Sequence, residues 1–248
     1  FCGISNYTTV LTQQSEVDAL AGCTSFSGSL RISGSNINNV DSLVNLTTIE
    51  EDLIIENIPA NGNDLPALSL IQAQGQLEIN YCSFNNILFP SLTTIDDDLK
   101  IVGTKLDSLN FESLNSVQEI QFGPYNGYNS NDGNGSYFAL NTFNSLVNMG
   151  NLKIEQNTGG TWGANNSGLY HIGGFSNLQS CGLLEVDDNP LLTSCCKLLD
   201  LAAVASSITI NQNGTNCGSL LAAASVCGTS FCGISNYTTV LTQQSEVD

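Results

Sequence analysis

The chain is poor in positive charge, in aromatic side chains and in long apolar runs. Lys and Arg together number 5 among its 248 residues, against 23 Asp and Glu, so the formal net charge is −18. Such a surface repels nucleic acids and anionic membrane surfaces. No apolar run approaches the roughly 18 residues that a spanning helix needs. We therefore expect no nucleic-acid partner and no membrane insertion.

The residues of common catalytic templates are also scarce. There is one His, at position 171, and no Gly-rich phosphate loop, which excludes most hydrolase and nucleotide-binding templates. The acidic clusters Glu50-Glu51-Asp52, Asp96-Asp97-Asp98 and Asp187-Asp188 are interpreted as solvated corners, because the first two precede equivalent strands. They lack the ordered Asp-x-Asp spacing of a calcium loop. We expect no enzyme, no metal, no calcium and no cofactor.

The nine cysteines include no CxxC pair, which favours a secreted, oxidised protein over a zinc protein. We expect disulfides among Cys2, Cys23, Cys181, Cys195, Cys196, Cys217, Cys227 and Cys232. Cys2 is expected to bond to Cys23 across a short N-terminal capping helix, and Cys181 to Cys195 in an adjacent coil. The pairing of Cys196, Cys217 and Cys227 stays open. Sequons for N-glycans occur at Asn6, Asn45, Asn134, Asn165 and Asn213, and Asn236 repeats Asn6.

A short alternating segment recurs eight times, with spacings of 21 to 24 residues and two of 32. Its copies are Leu30-Arg31-Ile32, Leu53-Ile54-Ile55, Leu77-Glu78-Ile79, Leu99-Lys100-Ile101, Ile120-Gln121-Phe122, Leu152-Lys153-Ile154, Leu184-Glu185-Val186 and Ile208-Thr209-Ile210. Period-two alternation predicts strands with both apolar residues on one face. A repeat of this length predicts a solenoid. We predict a mainly β fold, a short right-handed parallel β-helix of about eight coils with leucine-rich-repeat character and capping helices at both ends.

Two further positions recur along the repeat, the first of them as a polar residue in five of the eight coils. Five residues after the strand start lie Cys82, Thr104, Asn157, Asn189 and Asn213, whose side chains can satisfy buried backbone groups. We call this set the polar ladder. It makes Cys82 a free structural thiol, and it conflicts with a glycan on Asn213. The middle strand residues, from Arg31 to Thr209, form an outward stripe. In it Glu78 should lie beside Lys100 and Lys153 near Glu185, which favours a register-fixing charge ladder over a charged docking face.

The two longer coils place Gly- and Asn-rich insertions at 124–141 and 158–174. These carry the aromatic residues and the His of a candidate interaction surface: Tyr125, Tyr128, Tyr137, Trp162, Tyr170 and His171. Because they leave adjacent coils at the same corner, they should project together, and loops on a rigid scaffold often carry recognition. Glycosylated loops with their aromatics folded back are the equal alternative.

Residues 231–248 are identical to residues 1–18. We expect residues 1–230 to form one unit and 231–248 to begin an identical second unit, the chain being a piece of something longer. An engineered tandem or a permuted chain is the less favoured explanation.

Several segments resemble the receptor L-domain family, which includes lobes of the insulin and EGF receptors and fungal cell-wall glycoproteins. They are Gly22-Cys23-Thr24, Gly28 to Ile32, Leu46-Thr47-Thr48-Ile49, Asp52 to Ile55 and Leu184 to Leu192. The resemblance implies a short right-handed β-helix closed by disulfide-bonded ends. The chain has no furin-like module, and an identical tandem is foreign to those receptors. The resemblance therefore transfers neither receptor function nor ligand residues.

Two functions follow from this pattern. The duplicate favours a structural subunit of an extracellular tandem-repeat glycoprotein filament or surface appendage, whose partners are copies of itself. The alternative is an adhesion or ligand-binding ectodomain that uses loops 124–141 and 158–174 to bind a protein or glycan.

Overall fold

The computed structural model describes residues 2–59, 64–66, 68–104, 106, 108–123, 138–155 and 168–228. The predicted residues Tyr125, Tyr128, Asn134, Tyr137, Asn157, Trp162, Asn165, Cys232 and Asn236 lie outside this part of the chain.

The described part is built from short strands with three helices at its ends. The strands are β1 (Cys2–Leu11), β2 (Ser25–Ser33), β3 (Thr48–Ile49), β4 (Leu53–Glu56), β5 (Gln72–Ala73), β6 (Leu77–Asn80), β7 (Asn86–Leu88), β8 (Thr94–Ile95), β9 (Asp98–Val102), β10 (Ser108–Asn110), β11 (Glu119–Phe122), β12 (Phe138–Leu140), β13 (Asn148–Glu155), β14 (Leu169–Ile172), β15 (Ser180–Asp187) and β16 (Ala205–Asn211). The helices are α1 (Gln14–Asp18), α2 (Lys197–Val204) and α3 (Leu220–Cys227).

One parallel sheet runs the length of the molecule. Its strands follow the order β1-β2-β4-β6-β9-β11-β13-β15-β16, which we call the central ladder. All eight predicted segments lie in it and in register, from Leu30 beside Leu53 to Leu184 beside Ile208. The chain is a right-handed β-solenoid of about 7 turns, as the repeat predicted.

Each coil buries apolar residues from several sides. Most strand residues predicted to face inward, such as Leu30, Ile79 and Ile154, are fully buried, whereas Ile208 on the last strand is half-buried. On another side Phe89, Phe111, Phe143 and Phe175 stack with ring centroids 5.4, 5.5 and 5.2 Å apart. One strand's apolar face is too small to form a core alone, so stacking supplies the stability.

Three disulfides close the two ends of the solenoid. Cys2 bonds to Cys23, as predicted, and fixes β1 near α1. At the other end Cys195 bonds to Cys217 and Cys196 to Cys227.

The predicted Cys181–Cys195 bond is wrong. In the central ladder Cys181 lies between Met149 and Ala205, so no cysteine is its neighbour there. Cys195 follows Ser194, which bridges to His171 on a different side of the coil. Both cysteines follow a Leu by three residues, and that similarity hid the change of side. Cys181 is instead a buried free thiol, like Cys82.

None of the helices in the described residues has the length and apolar character needed to cross a membrane.

Candidate functional site: the two ends of the solenoid

The polar ladder satisfies backbone carbonyls between successive coils. Thr104 Oγ1 donates to Val102 O in its own coil at 3.1 Å and to Ile79 O in the preceding coil at 3.2 Å. The other described members bond in the same way. Asn189 Nδ2 reaches Asp187 O and Ile154 O, Asn213 Nδ2 reaches Val186 O, and Cys82 Sγ reaches Asn80 O and Ile55 O. The ladder is therefore structural, and Asn213 belongs to it.

The free thiols are inert parts of this core. Burial raises the pKa of the Cys82 thiol to about 12 and that of Cys181 to about 11. Both thiols stay neutral at physiological pH, and a thiolate is the reactive form.

The outward stripe has the predicted register, with Glu78 beside Lys100 and Lys153 beside Glu185. The ion pairs form with other partners. Lys100 Nζ lies 3.0 Å from Asp98, and Lys153 Nζ lies 2.9 Å from Glu119. Lys100 and Asp98 lie two residues apart on β9, whereas Lys153 reaches diagonally across the sheet to Glu119 on β11. Arg31–Glu56 and Lys153–Glu119 join neighbouring coils, but the expected Glu78–Lys100 and Lys153–Glu185 ion pairs do not form among the described residues, so the charge ladder stays a prediction.

Carboxylates collect toward the last coils of the same face. Burial, followed by repulsion from Glu185, raises the pKa of Glu155 above its ordinary value. Burial also raises the pKa of Asp187. Among the described residues, no group of three or more His, Cys, Asp and Glu side chains is arranged to hold a metal ion.

The two long insertions start and end side by side. Phe122 pairs with Ile154 before them, and β12 pairs with β14 inside the last residues of the predicted ranges, so each range ends in a strand of the solenoid. The pairing on both sides agrees with the prediction that the two insertions leave adjacent coils at the same corner. Of the predicted interaction residues, Tyr170 and His171 are described: their rings lie 6.4 Å apart, and His171 Nδ1 lies 2.6 Å from Ser194 Oγ in the next coil. That contact joins two coils.

Two predicted glycan carriers lie on the surface. Asn6 and Asn45 are both exposed, and Asn6 is on β1 within an irregular stretch of its pairing with β2. The backbone N of Asn6 donates to Glu51 Oε1 at 3.0 Å, so this hydrogen bond does not involve the Asn6 side chain.

The N-terminal end of the solenoid presents β1. Among the described strands β1 pairs with β2 alone, so no described strand occupies its other edge, which we call the open edge of β1. Its apolar side chains Ile4, Tyr7 and Val10 are 68%, 61% and 50% exposed. The carbonyl oxygens of Ile4 and Tyr7 pass so close to Gly28, at φ 78°, that a Cβ there would clash with both. This glycine therefore lets the irregular half of β1 lie on β2.

The C-terminal end presents β16 and α3. In the described sheet β16 pairs with β15 alone, and Ser206, Ser207 and Asn211 are exposed. Helix α3 begins after Ser219, whose Oγ accepts a hydrogen bond from Ala222 N at 3.1 Å, and ends at Gly228. Leu221 and Val226 on α3 are 46% and 53% exposed.

The two end strands carry no charged residue, although Glu50 and Glu51 contact β1 at Ser5 and Asn6. Residues 1–15 and 201–245 contain no Asp, Glu, Lys or Arg. Open sheet edges normally carry charges or proline that block pairing with another strand; β1 and β16 carry neither, although β1 has an irregular stretch between Gly3 and Thr8. The edges of β1 and β16 can therefore accept another strand without placing like charges of the two strands opposite each other. The uncharged runs were visible in the sequence, but β1 itself was missed because Thr8 to Leu11 buries a single side chain, Leu11.

Comparisons with models of protein families, with curated proteins and with solved structures find no match to this chain. The resemblance to receptor L domains stays a prediction.

Proposed function

We propose that the protein is a structural subunit of an extracellular tandem-repeat glycoprotein filament or surface appendage, in which 230-residue units stack end to end. The observation that carries this proposal is the pair of open, uncharged sheet edges at opposite ends of one parallel sheet. Contacts between two different surfaces of a unit repeat without closing, and such contacts build filaments.

Electrostatics supports the direction of assembly. A body with a net charge of −18 repels a second copy brought alongside it. The two ends avoid this cost, and their exposed Ile4, Tyr7, Leu221 and Val226 side chains gain from burial.

The identical segments 1–18 and 231–248 support a covalent tandem of such units. The three disulfides at the ends, together with the sequons, support a secretory route. The proposed role needs no catalysis, metal or cofactor.

The test is electron microscopy of a chain that contains four successive 230-residue units. We expect straight rods whose length grows in proportion to the number of units. Leu221→Glu and Val226→Glu in every unit should convert the rods to jointed beads, by which we mean separate globular units joined by flexible linkers. The reason is that the substitutions place negative charges on the C-terminal end. Val44→Glu and Val147→Glu add the same charge at exposed positions on the sides and should leave the rods intact.

Jointed beads in the unmodified chain would refute the proposal. If such beads also bound a protein or glycan saturably through loops 124–141 and 158–174, the adhesion function would replace it.

A further inference from the structure

The open edge of β16 lies where a second copy of β1 can reach it. The chain leaves β16 at Asn211, forms α3, and enters the repeated strand sequence at Cys232. Parallel strands need a connection of about a dozen residues or more, usually containing a helix. Residues 212–231 meet this requirement, so β16, α3 and residues 232–241 have the order of a β-α-β unit.

A disulfide fixes the starting point of this connection. Cys196 at the start of α2 bonds to Cys227 in the last turn of α3, so α3 ends beside the C-terminal cap. Cys232 follows Cys227 by five residues, which span at most about 17 Å when extended. The segment that repeats the β1 sequence therefore begins within this distance of Cys227.

The chemistry of the two surfaces matches. Residues 201–245 carry no charge, so nothing repels the repeated strand from β16 or α3. In β1 the regular pairing places Val10 beside Arg31 of the outward stripe and the buried Leu11 beside the inward-facing Ile32. Their repeats, Val240 and Leu241, have the same alternation, and β16 offers the same stripe position at Thr209 and the same inward position at Ile210.

We propose that residues 232–241 pair in parallel with the open edge of β16 in the same chain, with Thr239 beside Ile208, Val240 beside Thr209 and Leu241 beside Ile210. This pairing deepens the proposed end-to-end assembly and rests on it, because the strand that completes one unit is the first strand of the next. The sheet and the aliphatic core then continue from unit to unit without a break.

The test is a disulfide-trapping experiment on the 248-residue chain in a Cys232→Ser background, so that this cysteine does not compete. Thr209→Cys with Val240→Cys places two cysteines on neighbouring strands and on one face, within the Cα separation that a disulfide allows. Thr209→Cys with Leu241→Cys is the matched control, in which the second cysteine faces inward. Peptide mapping of the three native disulfides verifies the fold of each variant.

We expect the 209–240 bond to form within one chain at least tenfold faster than the 209–241 bond. Equal rates, or no bond in correctly folded chains, would overturn the pairing. A 209–240 bond between two chains would also overturn it, since the strand would then belong to a neighbouring chain.

Hydrogen exchange gives a second readout that does not depend on new cysteines. Val240→Pro removes a backbone donor from the repeated strand, and we expect faster exchange of amides in 205–211 than in the parent chain. Gln244→Pro, beyond the strand, should leave that exchange unchanged. Unchanged exchange in Val240→Pro would overturn the pairing.

These measurements use a single 248-residue chain, so they can refute the strand pairing without refuting the filament, and the filament test can do the reverse. Trapping without rods in longer chains would remove the proposed function and leave the strand pairing. Rods without trapping would show that other surfaces join the units.

Discussion

Asn189 and Asn213 are linked side chain to side chain across two coils. Asn189 Nδ2 lies 2.9 Å from Asn213 Oδ1, and Asn213 Nδ2 donates in turn to Val186 O at 2.8 Å. The amide nitrogen that would carry a glycan on Asn213 is thus committed to the backbone of the preceding coil.

We predict that Asn213 is not glycosylated when the protein is made in a eukaryotic secretory host. Asn45 is the comparison sequon: its Nδ2 also donates to a backbone oxygen, Ala21 O at 3.2 Å, but the residue is exposed whereas Asn213 is half-buried. Mass spectrometry of glycopeptides should find Asn45 occupied and the Asn213 peptide unmodified. A folded protein with a glycan on Asn213 would contradict the structural role of that residue.

Asn189→Ala should lower the free energy of unfolding by about 2 to 4 kcal/mol, because it removes hydrogen bonds to two buried carbonyl oxygens. Asn177 is the matched control: its Nδ2 also donates to a backbone oxygen, Asn144 O at 2.8 Å, but in an exposed position. Asn177→Ala should cost less than about 1 kcal/mol. Urea unfolding measures both, and equal losses would show that burial does not set the strength of the ladder.

Phe111 lies in the middle of the aromatic stack, between Phe89 and Phe143. Phe111→Ala should destabilise the protein by about 3 to 5 kcal/mol, because it leaves a cavity in the core.

Phe111→Leu should cost only about 1 to 2 kcal/mol, since it keeps most of the buried volume. Leu43 already occupies the equivalent position: its carbonyl accepts from Leu46 N just as Phe111 O accepts from Leu114 N. Thermal or urea unfolding distinguishes the two variants, and a similar loss in both would mean that the ring stack is required.

The raised pKa of Glu155 predicts a dependence of stability on pH. Because the folded state holds the proton more tightly than the unfolded state, this group stabilises the fold below the ordinary carboxyl pKa of 4.5. That contribution is lost as the pH rises through the raised value. Glu155→Gln should therefore be more stable than the parent protein at pH 7, with a difference that shrinks toward pH 4.

Unfolding at several pH values tests this expectation, with Glu112→Gln at an exposed site as the control. A Glu155→Gln protein that is less stable at pH 7 would show that attraction to Lys153 outweighs burial and the repulsion from Glu185.

The sequence predicted the repeating parts of the fold and the Cys2–Cys23 bond, and missed β1 and the environment of Cys181. Leu77 and Leu99 could be aligned because stacking buries equivalent residues in every coil. The polar ladder followed for the same reason, from Cys82 and Thr104 to Asn213. Cys181 was misassigned because its neighbours depend on which side of the coil it occupies, and the spacing from a Leu does not show the side.

The candidate site could be recognised only from the structure, because a sheet edge is a strand that lacks a neighbouring strand on one side. Thr209 looks like an ordinary strand residue in the sequence, and Val10 was not assigned to any strand. Once the ladder order places them on its first and last strands, their lack of charge becomes meaningful. Ion pairs such as Lys153 with Glu119 were missed because flexible side chains choose partners outside the direct register.

The most direct measurement is the axial repeat of a multi-unit chain, obtained by cryo-electron microscopy or fibre diffraction. If the nine strands of the central ladder continue from β16 into the next β1, each unit advances by about 43 Å at the usual strand spacing of about 4.8 Å. The account predicts this repeat, together with a 4.8 Å reflection along the rod. Units separated by variable distances, with no constant axial repeat, would contradict it.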